Sequence, residues 1–262
     1  MSGIAGKTAI VSGGATSIGA AVVRVFNDAG ANVLIADIAE EAGRALASSL
    51  GARVRFQHAD VRRDDDIAAC VATAVTAFGG IDFLVNGAVT YLDKGLQSSR
   101  AEWLESLNLN LVSGALLLRA VVPEMKKRGG GAVVNFSSVA GKFGQAGRAL
   151  YPAAKAAILQ LTRNEAMTLA VDGIRVNAVS PGWTWSAPVE RASGSDRAKA
   201  DRIAADYHPL GRVANPEEVA RAVLYLCSPD ASFITGIDLP VDGGYAMIGP
   251  DGGKPAMGRL AE

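Results

Sequence analysis

Short apolar runs alternate with longer segments in which apolar residues recur every three or four positions, from Lys7 to Val241. A short apolar run is typical of a buried strand, and the three-to-four spacing is typical of an amphipathic helix. The runs predict strands at residues 7–12, 32–36, 53–57, 83–85, 132–136, 176–179 and 238–241. The periodic segments predict helices at residues 18–30, 40–50, 65–78, within 100–127, 151–171 and 216–227. This alternation predicts an α/β fold: a single doubly wound parallel sheet of about seven strands, flanked by helices on both faces.

Two segments depart from the alternation. Residues 183–208 contain two tryptophans, Pro188 and a polar centre, and they are too long for a simple connection. Long insertions in compact domains often cover a site, so a substrate loop is predicted here. Residues 249–262 are rich in glycine, lack periodicity and predict an irregular tail. Because no linker-like composition interrupts the chain, residues 1–262 are predicted to form one domain.

The composition narrows the class of protein. Lysines plus arginines and aspartates plus glutamates both number 26, without a long run of one sign, so neither a nucleic acid nor a membrane is expected as a partner. Cys70 and Cys227 lie in helical patterns, which predicts buried thiols and no disulfide framework. Two histidines without clustered acids predict no metal site. The chain has no signal-like segment and no apolar stretch of roughly 20 residues, which predicts a cytoplasmic protein.

One stretch carries candidate acid–base chemistry. Tyr151 and Lys155 are four positions apart, so on a helix they share a face, and Ser138 precedes the tyrosine by thirteen positions. A phenol normally loses its proton near pH ~10, and a nearby cation favours the phenolate. The serine hydroxyl could hold a substrate oxygen while Tyr151 takes or gives its proton, which is acid–base catalysis at an alcohol or carbonyl. The ordinary alternative is a helical tyrosine with a surface lysine.

A second candidate site lies between the first strand and the first helix. Residues 12–19 are mostly small, including Gly13 and Gly19, so a pyrophosphate could approach the backbone at the helix N-terminus. Asp37 follows the second strand, where an acid accepts hydrogen bonds from the adenosine ribose and repels the extra phosphate of NADP. These features favour NAD. The alternatives are a tight turn and a solvated acid at a strand end.

With these features, the chain from about Lys7 to Tyr245 resembles the short-chain dehydrogenase/reductase family. The glycine turn is similar to the family's Thr-Gly-x-x-x-Gly-x-Gly, with Ser12 for the threonine and Ser17 for the middle glycine. Ser138, Tyr151 and Lys155 stand at the family's spacing. The remaining similarities are Asp60-Val61, Asn86 and Ala88 in Asn86-Gly87-Ala88-Val89, Asn110, Pro181-Gly182 followed by Ser186, and Asp242-Gly243-Gly244.

The resemblance implies a Rossmann-like fold, an NAD(H)-dependent alcohol dehydrogenase or ketoreductase, and a homotetramer. It implies that Tyr151 is the general acid/base, that Lys155 lowers the pKa of Tyr151 and binds the nicotinamide ribose, and that Ser138 orients the substrate oxygen. Asn110, the fourth catalytic residue, would anchor a water that links Lys155 to solvent. The implied cofactor-binding residues are Gly13, Ser17, Ile18, Gly19, Asp37, Asp60, Val61, Asn86, Ala88, Tyr151, Lys155, Pro181, Gly182 and Ser186.

The expected reaction is hydride transfer between NAD and a secondary alcohol or its ketone. A polyol, a sugar-type compound, an aromatic alcohol and a small acid all remain open as substrates. Gln145, Trp185 and His208 are the substrate-binding candidates, with Tyr91 and Arg148 behind them. For each of these residues, lid packing, a loop position or a solvated charge is the ordinary alternative. The alternative function is a non-catalytic NAD-binding sensor or scaffold on the same fold.

Overall fold

The structure, a computed structural model, describes residues 3–249. Seven strands, parallel throughout, form one sheet in the order β3-β2-β1-β4-β5-β6-β7. They are β1 (Thr8–Ser12), β2 (Asn32–Asp37), β3 (Val54–His58), β4 (Phe83–Asn86), β5 (Gly131–Phe136), β6 (Ile174–Pro181) and β7 (Asp238–Val241). The predicted fold class is confirmed, and every predicted strand overlaps an observed one.

Helices occupy the connections between the strands. They are α1 (Ser17–Asp28), α2 (Glu40–Leu50), α3 (Asp64–Phe78), α4 (Arg100–Leu107), α5 (Ser113–Lys127), α6 (Leu150–Leu169), α7 (Ala187–Ser193), α8 (Arg197–Ala204) and α9 (Pro216–Cys227). A π-helical turn at Asn108–Val112 joins α4 to α5.

The central strands are covered on both faces. Ile10 and Leu84 enter a core shared with α3, α5 and α6, whereas Val11 and Val85 enter a second core shared with α1, α2 and α9. Successive strand residues point to opposite faces. Apolar side chains on both faces of each central strand are therefore buried, which explains why the sequence shows unbroken apolar runs rather than alternation within a strand.

The order of the strands places the functional crevice. β1 lies between β2 and β4, so the chain winds outward in one direction from β1 and then returns to wind in the other. In open parallel sheets, ligands bind outside the carboxyl ends of the strands at such a reversal. The segments that follow β1, β2 and β4 therefore meet at one place.

The predicted helix within residues 100–127 is longer and more continuous than expected. Arg100–Lys127 forms a helical stretch of 28 residues with a mean hydropathy of 1.3 in its most apolar window, so by length and composition alone it could cross a membrane. It is not an unbroken apolar stretch, because polar side chains such as Asn108, Asn110 and Arg119 interrupt it. One side of α5 packs Leu117, Val121 and Met125 into a sheet core, as core helices of globular domains do, and 33% of that window is buried.

The segment predicted as a substrate loop, residues 183–208, contains α7 and α8 and a small core. Ala200 and Ala204, together with Val213 just beyond this segment, are buried against Trp183 and Trp185. Its role over a substrate stays a prediction, as does a single domain over residues 1–262. Of the predicted irregular tail, residues 250–262 lie outside the described residues.

Candidate active site

A cavity of about 530 Å³ lies at the carboxyl ends of the strands around β1. Asp37 and Asp60 line it beyond β2 and β3, and Ser138, Tyr151 and Lys155 line it beyond β5. The volume is typical of a site for a cofactor or small molecule. Among the predicted cofactor residues, those that line the cavity are Gly13, Ser17, Ile18, Gly19, Asp37, Asp60, Val61, Ala88, Tyr151, Lys155, Pro181, Gly182 and Ser186.

The glycine turn packs tightly beneath the segment after β4. Gly13 has a φ of 68°, and a Cβ atom there would stand 2.8 Å from the backbone of Gly87 and Ala88. Ser17 also adopts a left-handed conformation, with a φ of 48°, which glycine tolerates better than serine. Its Oγ accepts a hydrogen bond from the Ala187 N–H at 3.4 Å. Ser17, at the middle glycine of the motif, therefore connects the turn to the start of α7.

The carboxylate of Asp37 is fixed by two backbone groups. Its Oδ2 accepts from the Ala15 N–H at 3.0 Å and its Oδ1 from the Ala39 N–H at 2.9 Å. This carboxylate therefore joins the glycine turn to the end of β2 and faces the cavity in a fixed orientation.

Beyond Asp37, a charge cluster closes the same end of the cavity. The Arg62 guanidinium donates to Asp60 at 2.6 Å and also pairs with Glu105. The hydrogen bond from Arg62 holds the pKa of Asp60 below its usual value. The Asp60 carboxylate and the Arg62 guanidinium are therefore both charged and form an ion pair.

Tyr151, Lys155 and Ser138 meet at the opposite end. Because α6 begins at Leu150, Tyr151 and Lys155 lie one turn apart on it, with the lysine Nζ 5.5 Å from the centroid of the phenol ring. Lys155 is only 3% exposed, and its Nζ donates to the Phe136 carbonyl at 2.7 Å. Ser138 follows β5, and its Oγ accepts from the Ala140 N–H at 3.1 Å. The predicted acid–base group is thus brought together.

Burial governs the acidity of this group. Burial raises the pKa of Tyr151, the adjacent Tyr91 raises it further, and the Ser138 hydroxyl acts in the opposite direction. Burial also lowers the pKa of Lys155 to about 8. Burial therefore sets the direction of the Tyr151 pKa, and the expectation that Lys155 lowers this pKa stays a prediction.

Asn86 does not line the large cavity. Its Nδ2 donates to Asn135 Oδ1 at 2.9 Å and to the Gly114 carbonyl at 3.2 Å, which ties β4 to β5. Its Oδ1 is buried without a hydrogen-bond partner among residues 3–249. It borders a small cavity of about 20 Å³ that Lys155 also lines. A space of this size holds one water, and the unpartnered oxygen would accept a hydrogen bond from it.

Asn110, the fourth predicted catalytic residue, lies in the π-helical turn and borders the same small cavity. Its side chain is buried and hydrogen-bonded to Thr90 and to Ser106, whose Oγ accepts from Nδ2 at 3.2 Å. Nδ2 donates to the Thr90 carbonyl at 3.0 Å, and Oδ1 accepts from the Thr90 N–H at 2.9 Å. The side-chain amide of Asn110 therefore fixes the segment after β4. Any hydrogen bond from this residue to a water would have to come from its backbone.

His208, a predicted substrate residue, lies away from the cavity. It is 2% exposed, its Nε2 accepts from the Trp183 N–H at 3.1 Å, and its Nδ1 lies 3.2 Å from the Ala204 carbonyl. An Nδ1–H tautomer satisfies both contacts, and burial lowers the pKa of the ring. The structure therefore assigns His208 to the packing of the segment that carries Trp183.

Trp185 and Gln145 are not lining residues either. The Trp185 indole lies 5.4 Å from the guanidinium of Arg197, within the small core of residues 183–208. Gln145 is in the loop before α6, and its carbonyl accepts from the Arg148 N–H. The Trp185 side chain therefore packs within its own segment, and neither residue borders the cavity beside Tyr151.

Other residues occupy the positions where a substrate would lie. Val89, Tyr91, Trp183 and Val189 line the cavity, and the Tyr91 ring lies 5.3 Å from that of Tyr151. Asp93 approaches α6 from the same segment as Tyr91. Tyr91, a secondary substrate candidate in the sequence, does line the cavity, whereas Arg148 does not. No local pattern marks Val89, Val189 or Asp93, because they reach the site from separate loops.

Comparison with known proteins supports one family. The family model for enoyl-(acyl carrier protein) reductase matches residues 13–246. The chain is 40% identical to cis-4-hydroxycyclohexanecarboxylate dehydrogenase of Sinomonas cyclohexanicum over 247 residues, 92% of this chain and 97% of that protein.

Two further relatives are similar over comparable lengths. The chain is 37% identical to 2,5-dichloro-2,5-cyclohexadiene-1,4-diol dehydrogenase of Sphingobium indicum, covering 95% of this chain and 100% of the relative. It is 40% identical to 3-alpha-(or 20-beta)-hydroxysteroid dehydrogenase of Mycobacterium tuberculosis, covering 93% and 91%. With the parallel sheet and the Ser138, Tyr151 and Lys155 arrangement, these matches show that the chain belongs to the short-chain dehydrogenase/reductase family.

Proposed function

We propose that this protein is an NAD-dependent oxidoreductase that interconverts a secondary alcohol and its ketone, with Tyr151 as the general acid/base. The observation that carries the proposal is the meeting of Ser138, Tyr151 and Lys155 at one end of a cavity whose other end is lined by Asp37. The three relatives support it, since each is named as a dehydrogenase of a ring alcohol, diol or hydroxysteroid.

In alcohol oxidation, the Ser138 hydroxyl holds the substrate oxygen and the Tyr151 phenolate removes the hydroxyl proton. The bound nicotinamide supplies the acceptor for the hydride that leaves the same carbon. In ketone reduction, the Tyr151 phenol returns the proton to the oxygen. Which direction prevails depends on the concentrations of the reactants, because the same residues perform both.

Lys155 supports the phenolate and binds the cofactor in this proposal. A lysine ammonium has three N–H donors, and the Phe136 carbonyl takes one of them. The remaining donors border the large cavity, where they fit the hydroxyls of a ribose. The small cavity beside Asn86 and Asn110 offers a position for one water next to Lys155, which supports the proposed route for protons to solvent.

The choice of NAD is proposed from the charges at the opposite end. The fixed carboxylate of Asp37 repels a 2′-phosphate and accepts hydrogen bonds from ribose hydroxyls. Arg62 is the one basic residue that lines this end within residues 3–249, and it is engaged by Asp60 and Glu105. No uncommitted cation is therefore present there to favour NADP.

The alternative, a non-catalytic NAD-binding sensor or scaffold, has less support. It requires that the buried tyrosine, lysine and serine persist without turnover. All three are present in the arrangement that acid–base chemistry needs, and the relatives are named for catalytic activities.

A homotetramer is proposed for the assembly. Large apolar side chains are exposed on α4 and at the end of α6, namely Leu104, Met167 at 86% and, just beyond α6, Val171 at 90%. Phe233 and Met247 are exposed near β7. Two separate apolar surfaces suit an assembly with two kinds of contact. Light scattering should give about four times the 26.9 kDa chain mass, and a monomer mass would contradict the proposal.

The cytoplasm is proposed as the location. Cys70 and Cys227 are free and buried, and burial raises the pKa of each thiol to about 12, so both remain protonated and unreactive. Free thiols are usual in a reducing compartment. Cell fractionation would contradict this if the protein were recovered outside the cytosol.

Replacement of Tyr151 by phenylalanine should lower kcat for alcohol oxidation by roughly 10²–10⁴-fold, the usual contribution of acid–base catalysis. NAD affinity, measured by fluorescence titration, should change little. The matched control is Tyr225→Phe on α9, which removes the same atom outside the cavity. Unchanged turnover in Tyr151→Phe would exclude Tyr151 from the mechanism.

The rate of alcohol oxidation should rise with pH, because the phenolate is the active form of Tyr151. Lys155→Met removes the cation that favours the phenolate, so the midpoint of this rise should move upward by about one pH unit or more. The measurement is kcat against pH at saturating NAD. Lys142→Met, a lysine paired with Asp238 outside the cavity, should leave the midpoint in place. A midpoint that moves down in Lys155→Met contradicts the role of the lysine.

Replacement of Asp37 by asparagine keeps an oxygen acceptor but removes the negative charge. The ratio of kcat/KM for NADP to that for NAD should therefore rise by roughly tenfold or more, a gain of about 1.4 kcal/mol in relative binding. Steady-state kinetics with both cofactors provide the measurement. A ratio that stays constant would show that another group selects the cofactor.

A further inference from the structure

The segment that follows β4, residues 89–93, forms one side of the cavity beside Tyr151. The Tyr91 ring lies against the Tyr151 ring, with centroids 5.3 Å apart and planes inclined by 31°. Both residues line the cavity. An aromatic face therefore stands next to the group that exchanges a proton with the substrate.

Contacts on two sides hold this segment in place. On one side, Thr90 is bound through its N–H and its carbonyl to the buried amide of Asn110. On the other side, Asp93 reaches the first turn of α6, where its carboxylate accepts from the Ala149 N–H at 3.0 Å and from the Tyr151 N–H at 3.1 Å. Tyr91, between these two anchors, is held at a fixed distance from Tyr151.

The anchor at Asp93 acts as a helix cap from a distant part of the chain. An oxygen that accepts from the first N–H groups of a helix satisfies donors that have no partner within the helix. Burial pushes the pKa of Asp93 up, but hydrogen bonds from the backbone of Gly95, Tyr151 and Ala149 outweigh it and hold the pKa below its usual value. The anchor thus stays charged throughout the neutral range.

The chemistry of this end of the cavity restricts the substrate. Within residues 3–249, the charged side chains that line the cavity are Asp37, Asp60, Arg62 and Lys155. The first three belong to the Asp37 end, and Lys155 is assigned to the ribose and the phenolate by the proposed function. The uncharged lining residues include the apolar or aromatic side chains of Val89, Tyr91, Trp183 and Val189. Of the polar ones, the Ser137 and Thr184 hydroxyls already donate to backbone carbonyls, and the proposed function assigns Ser138 to the reacting oxygen.

We propose that the substrate is an uncharged secondary alcohol whose hydroxyl is carried by a carbocyclic ring, with Tyr91 as the specificity-determining residue and Asp93 as the residue that positions it. This assignment assumes the oxidoreductase function proposed above, and it adds the chemical class of the substrate. A rigid aromatic face suits a rigid ring, which loses little conformational freedom on binding. A polyol would place several hydroxyls against apolar side chains without partners, which such a site rejects.

The reaction of such a substrate is balanced by groups already named. The hydroxyl proton passes to the Tyr151 phenolate, and the electron pair of the broken O–H bond forms the C=O bond of a ring ketone. The carbinol C–H bond breaks and its hydrogen leaves with both electrons, as a hydride, to NAD. No further oxidant is required.

A ring that bears a carboxylate is the competing substrate. Arg148 lies outside the lining of the cavity, and its charge nevertheless lowers the pKa of Tyr151 slightly against the effect of burial. An acid group would have to reach out of the apolar region to meet it. The neutral ring is favoured because an unpaired carboxylate among apolar side chains is costly.

The first experiment compares kcat/KM with NAD for cyclohexanol, 2-hexanol, sorbitol and cis-4-hydroxycyclohexanecarboxylate. Cyclohexanol should exceed each of the other three by roughly tenfold or more. A preference for sorbitol, for 2-hexanol or for the acid, the last abolished by Arg148→Met, would overturn the substrate class while leaving the oxidoreductase intact. No NADH from any of the four or from a broader alcohol panel would instead overturn the proposed function.

The role of Tyr91 is tested by the ratio of cyclohexanol to 2-hexanol activity. Tyr91→Ala removes the aromatic face, so the ratio should fall by roughly tenfold, whereas Tyr91→Phe restores the face and the ratio with it. An unchanged ratio in Tyr91→Ala would remove this residue from specificity. The ratio is insensitive to a general loss of folded enzyme, because both substrates are measured on the same preparation.

The role of Asp93 is tested by separating kcat from KM. Asp93→Ala should lower kcat for cyclohexanol by roughly 10–100-fold with KM for NAD within threefold of the wild type, and Asp93→Asn, which keeps an acceptor, should recover most of the loss. Ser99→Ala removes the cap of α4 instead and should leave kcat unchanged. A parallel rise in KM for NAD, or a loss not recovered by asparagine, would reduce Asp93 to a structural residue and overturn its positioning role.

Discussion

A buried lysine ammonium holds the active-site helix to the sheet. The Lys155 Nζ donates to the Phe136 carbonyl at the end of β5, and the Ser137 hydroxyl donates back to the Lys155 carbonyl at 2.8 Å. A charge removed from water is costly unless strong hydrogen bonds replace its hydration. This two-way contact fixes the start of α6 against β5, and the positions of Tyr151 and Ser138 follow from it.

The same burial gives the site its electrostatic character. Removal from water favours the neutral forms of both groups, so the pKa of the phenol rises and that of the ammonium falls to about 8. The two pKa values are therefore pushed apart, and burial by itself disfavours the phenolate that the proposed reaction uses. A pKa of about 8 leaves the Lys155 ammonium mostly charged at neutral pH, and its hydrogen bond to the Phe136 carbonyl holds that charge near the phenol.

The cavity divides into two chemically distinct ends. Fixed charges, with the Asp37 carboxylate held by two backbone N–H groups, surround the end beyond β2. Apolar and aromatic side chains surround the end beyond β4, where Tyr91 lies against Tyr151. Under the proposed function, the charged end would hold the polar part of the cofactor and the apolar end would hold the substrate, next to Tyr151 and Lys155. The two ends of the cavity differ because different loops line them: those after β2 and β3 line one end, and the segment after β4 lines the other.

Local patterns in the sequence determined much of this protein. The alternation of strands and helices gave the parallel sheet, and the spacing from Tyr151 to Lys155 placed both on one helical face, because these features depend on periods of a few residues. The glycine turn and Asp37 were also predictable, since each lies directly at a strand end.

Only the tertiary structure decided which other side chains reach the cavity. Trp185 and His208 pack within their own segment, whereas Tyr91 lines the cavity and Asp93 caps a helix 58 residues further along. Such contacts between loops depend on how the whole chain packs, and no local period encodes them.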